Sequence, residues 1–196
     1  GDTLKYASLS RFLFGWKGKL VFRNANLISA FIDTPVKKAF NQILLRKVDA
    51  VASVSQYCLD DFQSVFSWKK PIACLPIGTE LINGNDTIAD DLAQKLKGRP
   101  FLVHIASFVP EKNHQGLIRI IKTINQPFPD VCLVLIGDGP LRTEIESQLP
   151  KNVISLGPRK DAGSILQAAQ ALLLPSLIEG LPGVILDKGC TVLPEI

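Results

Sequence analysis

The sequence predicts an α/β protein in which parallel β-sheets are covered by helices on both faces. Short apolar runs alternate with segments whose apolar residues recur every three or four positions, which indicates strands followed by amphipathic helices. The runs are apolar throughout, as is typical of strands buried on both faces of a parallel sheet. The 196 residues suffice for one ordinary domain or two incomplete ones.

The first third of the chain predicts the order β-α-β-α-β. Ser55 is placed to cap the second helix, because serine is favoured at helix N-termini. Residues 1–18 carry little pattern. The predicted elements are a strand at 19–24, a helix at 35–48, a strand at 49–53, a helix at 55–66 and a strand at 71–76.

Residues 81–100 are more polar, and we predict a linker there that includes a small helix near residues 89–96. Beyond it the alternation of strands and helices is clearer. The predicted elements are a strand at 101–106, a helix over 114–124, a strand at 131–136, a helix over 141–149, a strand at 153–156, a helix capped by Asp161, a strand at 171–174 and a helix opening at Pro182.

Composition supports a folded chain and excludes some functions. Hydrophobic residues make up 46% and charged residues 20%, so a core can form. The net charge of +4 fits an anionic small-molecule ligand or contact with an acidic membrane surface, and is far from the excess of a dedicated nucleic-acid-binding protein. The sequence shows no signal peptide and no apolar run long enough to span a bilayer. Methionine is absent, even at position 1, which indicates a fragment.

The four cysteines are widely spaced and show no pairing typical of metal ligands. Cys74 and Cys132 lie in apolar runs, where a cysteine usually acts as a small buried hydrophobe. We therefore expect a reduced, cytoplasmic setting.

Three loops follow predicted strands, at residues 107–113, 137–140 and 175–183. In a parallel sheet the carboxyl ends of the strands share one edge, and ligands bind in the crevice beyond it. We therefore expect the three loops to meet and to form a binding site.

The residues of these loops favour an anionic, hydroxylated ligand. Lys112 supplies a cation, and the Gly-Asp-Gly-Pro turn at 137–140 supplies glycines in front of a helix N-terminus. Glu179 supplies a carboxylate, and Asp187, eight residues on, lies within roughly 12 Å of it if the intervening residues are helical. Taken alone, the turn also fits an ordinary strand-to-helix connection, and Lys112 a solvated charge.

Residues 101–187 resemble the carboxyl-terminal domain of the group 1 (family 4) glycosyltransferases of GT-B fold. The matching stretches are Glu-Lys-Asn-His at 111–114, Val-Leu-Ile-Gly-Asp-Gly-Pro at 134–140, and Pro-Ser at 175–176 with Glu-Gly-Leu-Pro at 179–182. Residues 1–80 are similar to the end of the acceptor-side domain of that family. The predicted domains are therefore 1–80 (end of the amino-terminal Rossmann-like domain, incomplete), 81–100 (linker) and 101–196 (nucleotide-sugar-binding Rossmann-like domain).

The resemblance implies a retaining, metal-independent transferase that moves a sugar from a UDP- or GDP-sugar to a glycan or lipid-linked acceptor. No cofactor is implied. Glu179 would be the catalytic residue at the donor sugar, Asp187 would hold the ribose, and the backbone near Gly157 and Arg159 would face the base. The implied donor-binding residues are Ser107, Lys112, Gly137, Asp138, Gly139, Gly157, Arg159, Gly180, Leu181 and Asp187.

The chain departs from the family pattern at three places. Ser107 stands where the family has an arginine, and Arg159 or Arg142 would have to supply the cation. Residues 188–196 reach the Pro-Glu-Ile ending early, which predicts missing residues near Asp187. The amino-terminal half of the acceptor domain, with its glycine-rich loop and histidine, is also absent, so this stretch is expected to bind donor without turnover.

Neither histidine replaces the missing one. His104 lies inside a strand and is expected to be a packed residue. His114 starts a helix and is expected to be exposed or to support a site residue indirectly.

Three alternatives stay open. They are a donor-binding but inactive homologue, favoured by Ser107, a nucleotide-sugar epimerase of the same fold, and a dinucleotide-binding oxidoreductase. The last is the weakest, because residues 137–140 lack the third glycine of its fingerprint. The family favours polysaccharide or glycolipid assembly in the cytoplasm, with peripheral contact at the inner face of the membrane and no nucleic-acid partner.

Overall fold

The structure, a computed structural model, describes residues 2–78 and 88–186. The described residues fall into two units. The first comprises residues 2–78 together with 178–182, and the second comprises residues 88–177 and 183–186.

The first unit is a three-stranded parallel sheet with helices. Its strands lie in the order β1-β2-β3, and Val51 of β2 is opposite Phe22 of β1 and Ile72 of β3. The elements are α1 (Asp2–Phe14), β1 (Val21–Asn24), α2 (Pro35–Leu45), β2 (Ala50–Ser53), α3 (Gln56–Val65) and β3 (Ile72–Cys74). The predicted β-α-β-α-β order is confirmed.

Helix α1 was not predicted, because its inward face is partly polar. Leu4 and Ser8 are its buried residues, four positions apart, and the Ser8 hydroxyl donates to the Leu44 carbonyl at 3.1 Å. One turn further on, the Arg11 guanidinium pairs with the Asp49 carboxylate at 2.6 Å. Side chains of this kind conceal the apolar period that identifies a helix in a sequence.

The second unit is a four-stranded parallel sheet in the order β6-β5-β4-β7. The chain leads from β4 through β5 to β6 in one direction, and β7 then pairs with the other side of β4. The elements are α4 (Asp90–Leu96), β4 (Phe101–Ile105), a 3-10 helix (Pro110–Lys112), α5 (His114–Ile124), β5 (Cys132–Ile136), α6 (Arg142–Glu146), β6 (Val153–Gly157), α7 (Ala162–Ala168), β7 (Ala171–Leu172) and α8 (Gly183–Leu186).

Both faces of this sheet are buried, as the uniformly apolar strands predict. Along β5, Leu133 and Leu135 pack on one side with Leu117 and Ile121 of α5. The alternate residues of β5 pack on the other side with Ile165 of α7. The predicted fold class, a parallel α/β sheet with helices on both faces, is confirmed.

The helix predicted within the linker, α4, packs into the second unit. Leu92 and Leu96 are buried in the same core cluster as Phe101 and Val103. Residues 90–96 are thus part of this unit, contrary to a linker extending over the whole of 81–100. The other predicted domain bounds stay a prediction, and residues 79–87 lie outside the described residues.

Candidate functional site

The reversal of strand order between β4 and β7 places the candidate site at the carboxyl edge of the second sheet. Where strand order reverses in an open parallel sheet, the loops on the two sides diverge and leave a crevice. The loops after β4, β5 and β6 all begin at this edge.

The loops after β4 and β5 are joined by backbone hydrogen bonds. The Phe108 N–H donates to the Asp138 carbonyl at 2.9 Å, and the Leu141 N–H donates to the Phe108 carbonyl at 3.1 Å. Phe108 is fully buried and anchors the loop after β4 in the core. The predicted convergence of residues 107–113 with residues 137–140 is therefore present.

Two glycines of the Gly-Asp-Gly-Pro turn are required by this close approach. Gly137 has a φ of +141°, and a Cβ at this position would collide with the Ala106 carbonyl oxygen. A Cβ on Gly139 would lie 2.6 Å from the Phe108 carbonyl oxygen, which is closer than real contacts allow. The absence of side chains here serves packing between the two loops as well as backbone access.

A cavity of about 330 Å³ opens between the loops after β4, β5 and β6. This volume lies at the lower end of the range found for small-molecule sites. Three predicted donor-binding residues, Ser107, Gly137 and Arg159, line it. The complete lining consists of Ile105, Ala106, Ser107, Ile136, Gly137, Pro158, Arg159 and Ala162.

The Arg159 side chain is held by two carboxylates. Its guanidinium donates twice to Asp161, at 2.7 Å each, and twice to Asp91, at 2.7 and 3.2 Å. Four of the five guanidinium N–H groups are thereby used. The hydrogen bonds that Arg159 donates to Asp161 and Asp91 raise the pKa of Arg159 and lower the pKa of both carboxyl groups. Asp161 is at the predicted N-cap position of α7, but its carboxylate makes no capping hydrogen bond and accepts from Arg159 instead.

Arg142, the other predicted replacement cation, is also paired. Its Nε donates to Glu146 at 2.7 Å, and its guanidinium lies 3.7 Å from the Asp138 carboxylate. These partners raise the pKa of Arg142, with Glu146 as the main cause. The same guanidinium lies against Gly157, where a Cβ would approach it to 2.8 Å. Neither arginine offers an unpaired charge to a phosphate group.

Lys112 ends the 3-10 helix and is half-buried. The next residue, Asn113, adopts a left-handed conformation with a φ of +52° and caps α5 by accepting from the Gly116 N–H at 3.1 Å. The Asn113 amide also donates to the Pro175 carbonyl at 3.0 Å, and the Leu177 N–H donates to the Glu111 carbonyl at 2.8 Å. The loop after β4 is therefore tied to the loop after β7.

The two histidines lie together beneath these loops. His104 is buried and its Nδ1 is 2.8 Å from the Leu173 carbonyl, so its predicted packing role is confirmed. His114 is only 3% exposed and stacks on Phe108 with ring centroids 4.3 Å apart, so the expectation of an exposed side chain was wrong. Burial, and secondarily the Lys112 charge, lowers the pKa of His114. Among the described residues, no hydrogen-bond partner faces either ring nitrogen of His114.

The predicted catalytic loop belongs to the first unit. Glu179, Gly180 and Leu181 lie within residues 178–182 and are half-buried. The Gly180 carbonyl accepts a hydrogen bond from the Ser55 hydroxyl at 3.1 Å. Asp187 lies outside the described residues, so its predicted pairing with Glu179 stays a prediction.

Two features are absent from residues 2–78 and 88–186. No cluster of three or more histidine, cysteine, aspartate or glutamate side chains is placed to hold a metal ion in this part of the chain. Within the same residues, no helix is long and apolar enough to cross a membrane.

Within each unit, sequence reasoning missed the contacts that hold the predicted site residues. Asp91 is 68 residues from Arg159, and Ser55 is 125 residues from Gly180. Ser55 had been predicted only as a helix cap. No local pattern reports such pairings, since propensity and periodicity extend over a few residues.

A doubly wound parallel sheet with a glycine-rich turn at its carboxyl edge is typical of Rossmann-like folds, a class that commonly binds nucleotides. Residues 99–195, close to half of the chain, match the family model described as glycosyl transferases group 1. This segment is similar to the group 1 glycosyltransferases, and the resemblance predicted from the motifs is confirmed.

Named relatives agree with the family. An Escherichia coli UDP-Gal:alpha-D-GlcNAc-diphosphoundecaprenol alpha-1,3-galactosyltransferase is 33% identical over 138 residues, which is 64% of this chain and 36% of that protein. The putative glycosyltransferase EpsF of Bacillus subtilis is 32% identical over 129 residues, covering 61% and 33% respectively. The chain thus spans about a third of the length of these two relatives.

Solved structures agree on the fold. The crystal structure of Anabaena HepE in complex with UDP and glucose aligns with a TM-score of 0.71 at 19% identity, covering 89% of this chain and 50% of HepE. The predicted GT-B fold is confirmed.

Proposed function

We propose that this protein is a retaining, metal-independent glycosyltransferase that moves a sugar from a nucleotide diphosphate sugar to a glycan or lipid-linked acceptor. The observation that carries the proposal is the open cavity at the carboxyl edge of the second sheet, which is lined by Ser107, Gly137 and Arg159. The match of residues 99–195 to the group 1 glycosyltransferase model supports the reaction class. The names of the E. coli and Anabaena proteins favour UDP as the nucleotide.

In the proposed mechanism the base lies against the backbone near Gly157 and Arg159, and Asp187 holds the ribose. Charge on the departing phosphate oxygen would be stabilised by Lys112 and by backbone amides. The amides of Gly180 and Leu181 belong to this set, and Glu179 contacts the donor sugar.

The polyprenol-linked acceptor in the E. coli relative's name supports a lipid-linked acceptor here as well. We extend the proposal to assembly of a cell-surface glycan at the cytoplasmic face of a membrane. The net charge of +4 is compatible with peripheral contact there.

A donor-binding, inactive homologue is the second candidate. One specific observation favours it: the position of the family's arginine is held by exposed Ser107, and neither Arg142 nor Arg159 replaces its charge. Full-length protein that binds nucleotide but never releases it from a donor, with or without acceptor, would fit this candidate.

Calorimetric titration with UDP and with GDP, in the presence of a metal chelator, tests donor binding. We expect UDP to bind more tightly than GDP. Absence of heat with both nucleotides would reject the proposal and the second candidate alike. A second assay separates the transferase from the inactive homologue. The transferase, as full-length protein, should release UDP from UDP-galactose or UDP-glucose only when a lipid-linked acceptor is present.

A matched pair of variants tests whether the missing cation matters. Ser107→Arg adds a guanidinium at the edge of the cavity, and we expect UDP affinity to rise about tenfold, as one good charge-assisted contact provides. Ser107→Gln, similar in length but neutral, serves as the control. Equal affinities of the two variants would place the diphosphate elsewhere.

A further inference from the structure

Ser55, at the N-terminus of α3, makes two hydrogen bonds with one hydroxyl group. Its oxygen accepts from the Cys58 N–H at 3.2 Å, which caps the helix. Its proton is donated to the Gly180 carbonyl at 3.1 Å. A cap requires only an acceptor, so the donated bond is additional to the role predicted from the sequence.

Gly180 fits closely against the residues that surround Ser55. A Cβ on Gly180 would collide with the Ala25 carbonyl and would lie 3.1 Å from the Cys58 sulfur. Ala25 directly follows β1, while Cys58 is fully buried in the first turn of α3. The segment 178–182 therefore has one tightly defined position on the first unit.

The surface beneath Gly180 is itself fixed. Asn24, at the end of β1, is 1% exposed, and its amide donates to the Cys58 carbonyl at 2.8 Å. It also donates to the Ser53 hydroxyl at 3.4 Å. These contacts link the ends of β1 and β2 to the first turn of α3. Accurate positioning of a functional residue requires a rigid support of this kind.

From these contacts we propose that Ser55 is a positioning residue for Glu179. The peptide group whose carbonyl Ser55 holds belongs to Gly180, the residue bonded directly to Glu179. Loss of the donated bond frees the segment to shift, and a shift of about 1 Å in a reacting group lowers turnover by up to roughly a hundredfold. The proposal rests on the proposed function, since it assumes that Glu179 acts on the donor sugar.

The test compares three variants of the full-length protein. Ser55→Asp keeps the helix cap, because aspartate caps as well as serine, but it cannot donate to Gly180. Ser55→Thr keeps both bonds. Thr34→Asp is the matched control, because Thr34 caps α2 by accepting from the Lys37 N–H and the same charge is introduced there.

Three quantities are measured for each variant: kcat and KM for UDP release from the best donor among UDP-glucose, UDP-galactose and UDP-N-acetylglucosamine, and the Kd for UDP. We expect Ser55→Asp to lower kcat tenfold or more with KM and Kd within twofold, and Ser55→Thr and Thr34→Asp to stay close to wild type. A kcat for Ser55→Asp within twofold of wild type would overturn the proposal. So would an equal loss in Thr34→Asp.

A glutamate-specific protease gives a readout that needs no turnover. Ser55→Asp should speed cleavage between Glu179 and Gly180, measured by mass spectrometry, relative to cleavage at exposed Glu144 in the second unit. Unchanged cleavage would show that Ser55 does not hold the segment and would reject the proposal. If wild-type protein neither bound UDP nor released it from a donor, the proposed function would be rejected. The protease experiment does not depend on that function and tests only the position of the segment.

Discussion

Asn113 in the second unit and Ser55 in the first unit perform the same pair of tasks. Each caps a helix with its side-chain oxygen and donates a hydrogen bond to a backbone carbonyl, at Pro175 and at Gly180 respectively. Around Asn113, backbone bonds such as that between Leu177 and Glu111 reinforce the attachment. The attachment described for residues 178–182 is a side-chain bond together with the packing of Gly180.

Because of this difference, we expect substitutions at the two attachments to affect different properties of the protein. Loops held by backbone bonds keep their arrangement when one side chain changes, although the protein loses stability. A segment held by one hydroxyl changes position at little cost in stability, because an exposed or half-buried loop contributes little to unfolding. Substitutions that break these loop attachments in the second unit should therefore affect mainly the free energy of unfolding, whereas substitutions of Ser55 should affect mainly turnover.

The largest effect is expected where the backbone attachment itself is broken. Gly137→Ala places a Cβ against the Ala106 carbonyl at a φ that side chains rarely adopt. We expect the free energy of unfolding to fall by about 3 kcal/mol, measured by circular dichroism in urea. Gly78→Ala, whose Cβ would meet no atom within 4 Å among residues 2–78 and 88–186 apart from its chain neighbours, should change it by less than about 0.5 kcal/mol. Equal effects would show that the turn is not constrained.

Removing one donated bond in the second unit should have a moderate effect. Asn113→Asp still accepts from Gly116 but cannot donate to Pro175. We expect the free energy of unfolding to fall by about 1–2 kcal/mol, since a half-buried carbonyl is left without its partner. Asn41→Asp, at an exposed amide that donates to the Lys37 carbonyl, is the control. A larger loss in the free energy of UDP binding than in the free energy of unfolding would contradict the contrast with Ser55.

The buried His114 makes the second unit sensitive to acid. Its lowered pKa means that the unfolded chain takes up a proton near pH 6.5 while the folded chain does not, so stability falls as pH drops below 6.5. The slope from one such group is at most about 1.4 kcal/mol per pH unit. His114→Phe keeps the stacking on Phe108 and should remove this contribution to the pH dependence of the free energy of unfolding, measured with urea between pH 5 and 7. An unchanged slope would assign the acid sensitivity to other groups.

The smallest effect is expected at the ion pair on the cavity edge. Asp91→Asn frees donors of Arg159, and we expect UDP affinity to rise about two- to threefold, in keeping with exposed ion pairs. Asp90→Asn makes the same charge change one position earlier in α4 and should leave affinity unchanged. A rise with both variants would indicate a long-range charge effect, measurable by the same calorimetry.

The fold was largely predictable because its dominant signals are local. Strands such as β4 and β5 are apolar at every position, and α5 shows a clear apolar stripe. Helix α1 was missed because its inward face carries Ser8 and Arg11.

The candidate site was predictable in outline only. That Ser107, Gly137 and Arg159 converge follows from parallel strands sharing an edge. The remaining features depend on contacts between residues that are distant in the sequence, which no local pattern predicts. They are the pairing of Arg159 with carboxylates, the burial of His114 and the hydrogen bond from Ser55 to Gly180.

The paired arginines at the cavity have one more consequence, for the effect of ionic strength. Arg159 and Arg142 each face two carboxylates, so neither contributes net positive charge at this edge of the second sheet. Apart from Lys112, a diphosphate bound there would be recognised by backbone dipoles at short range, which added salt screens far less than the attraction between separated charges. Nucleotide affinity should therefore change little between low and high salt.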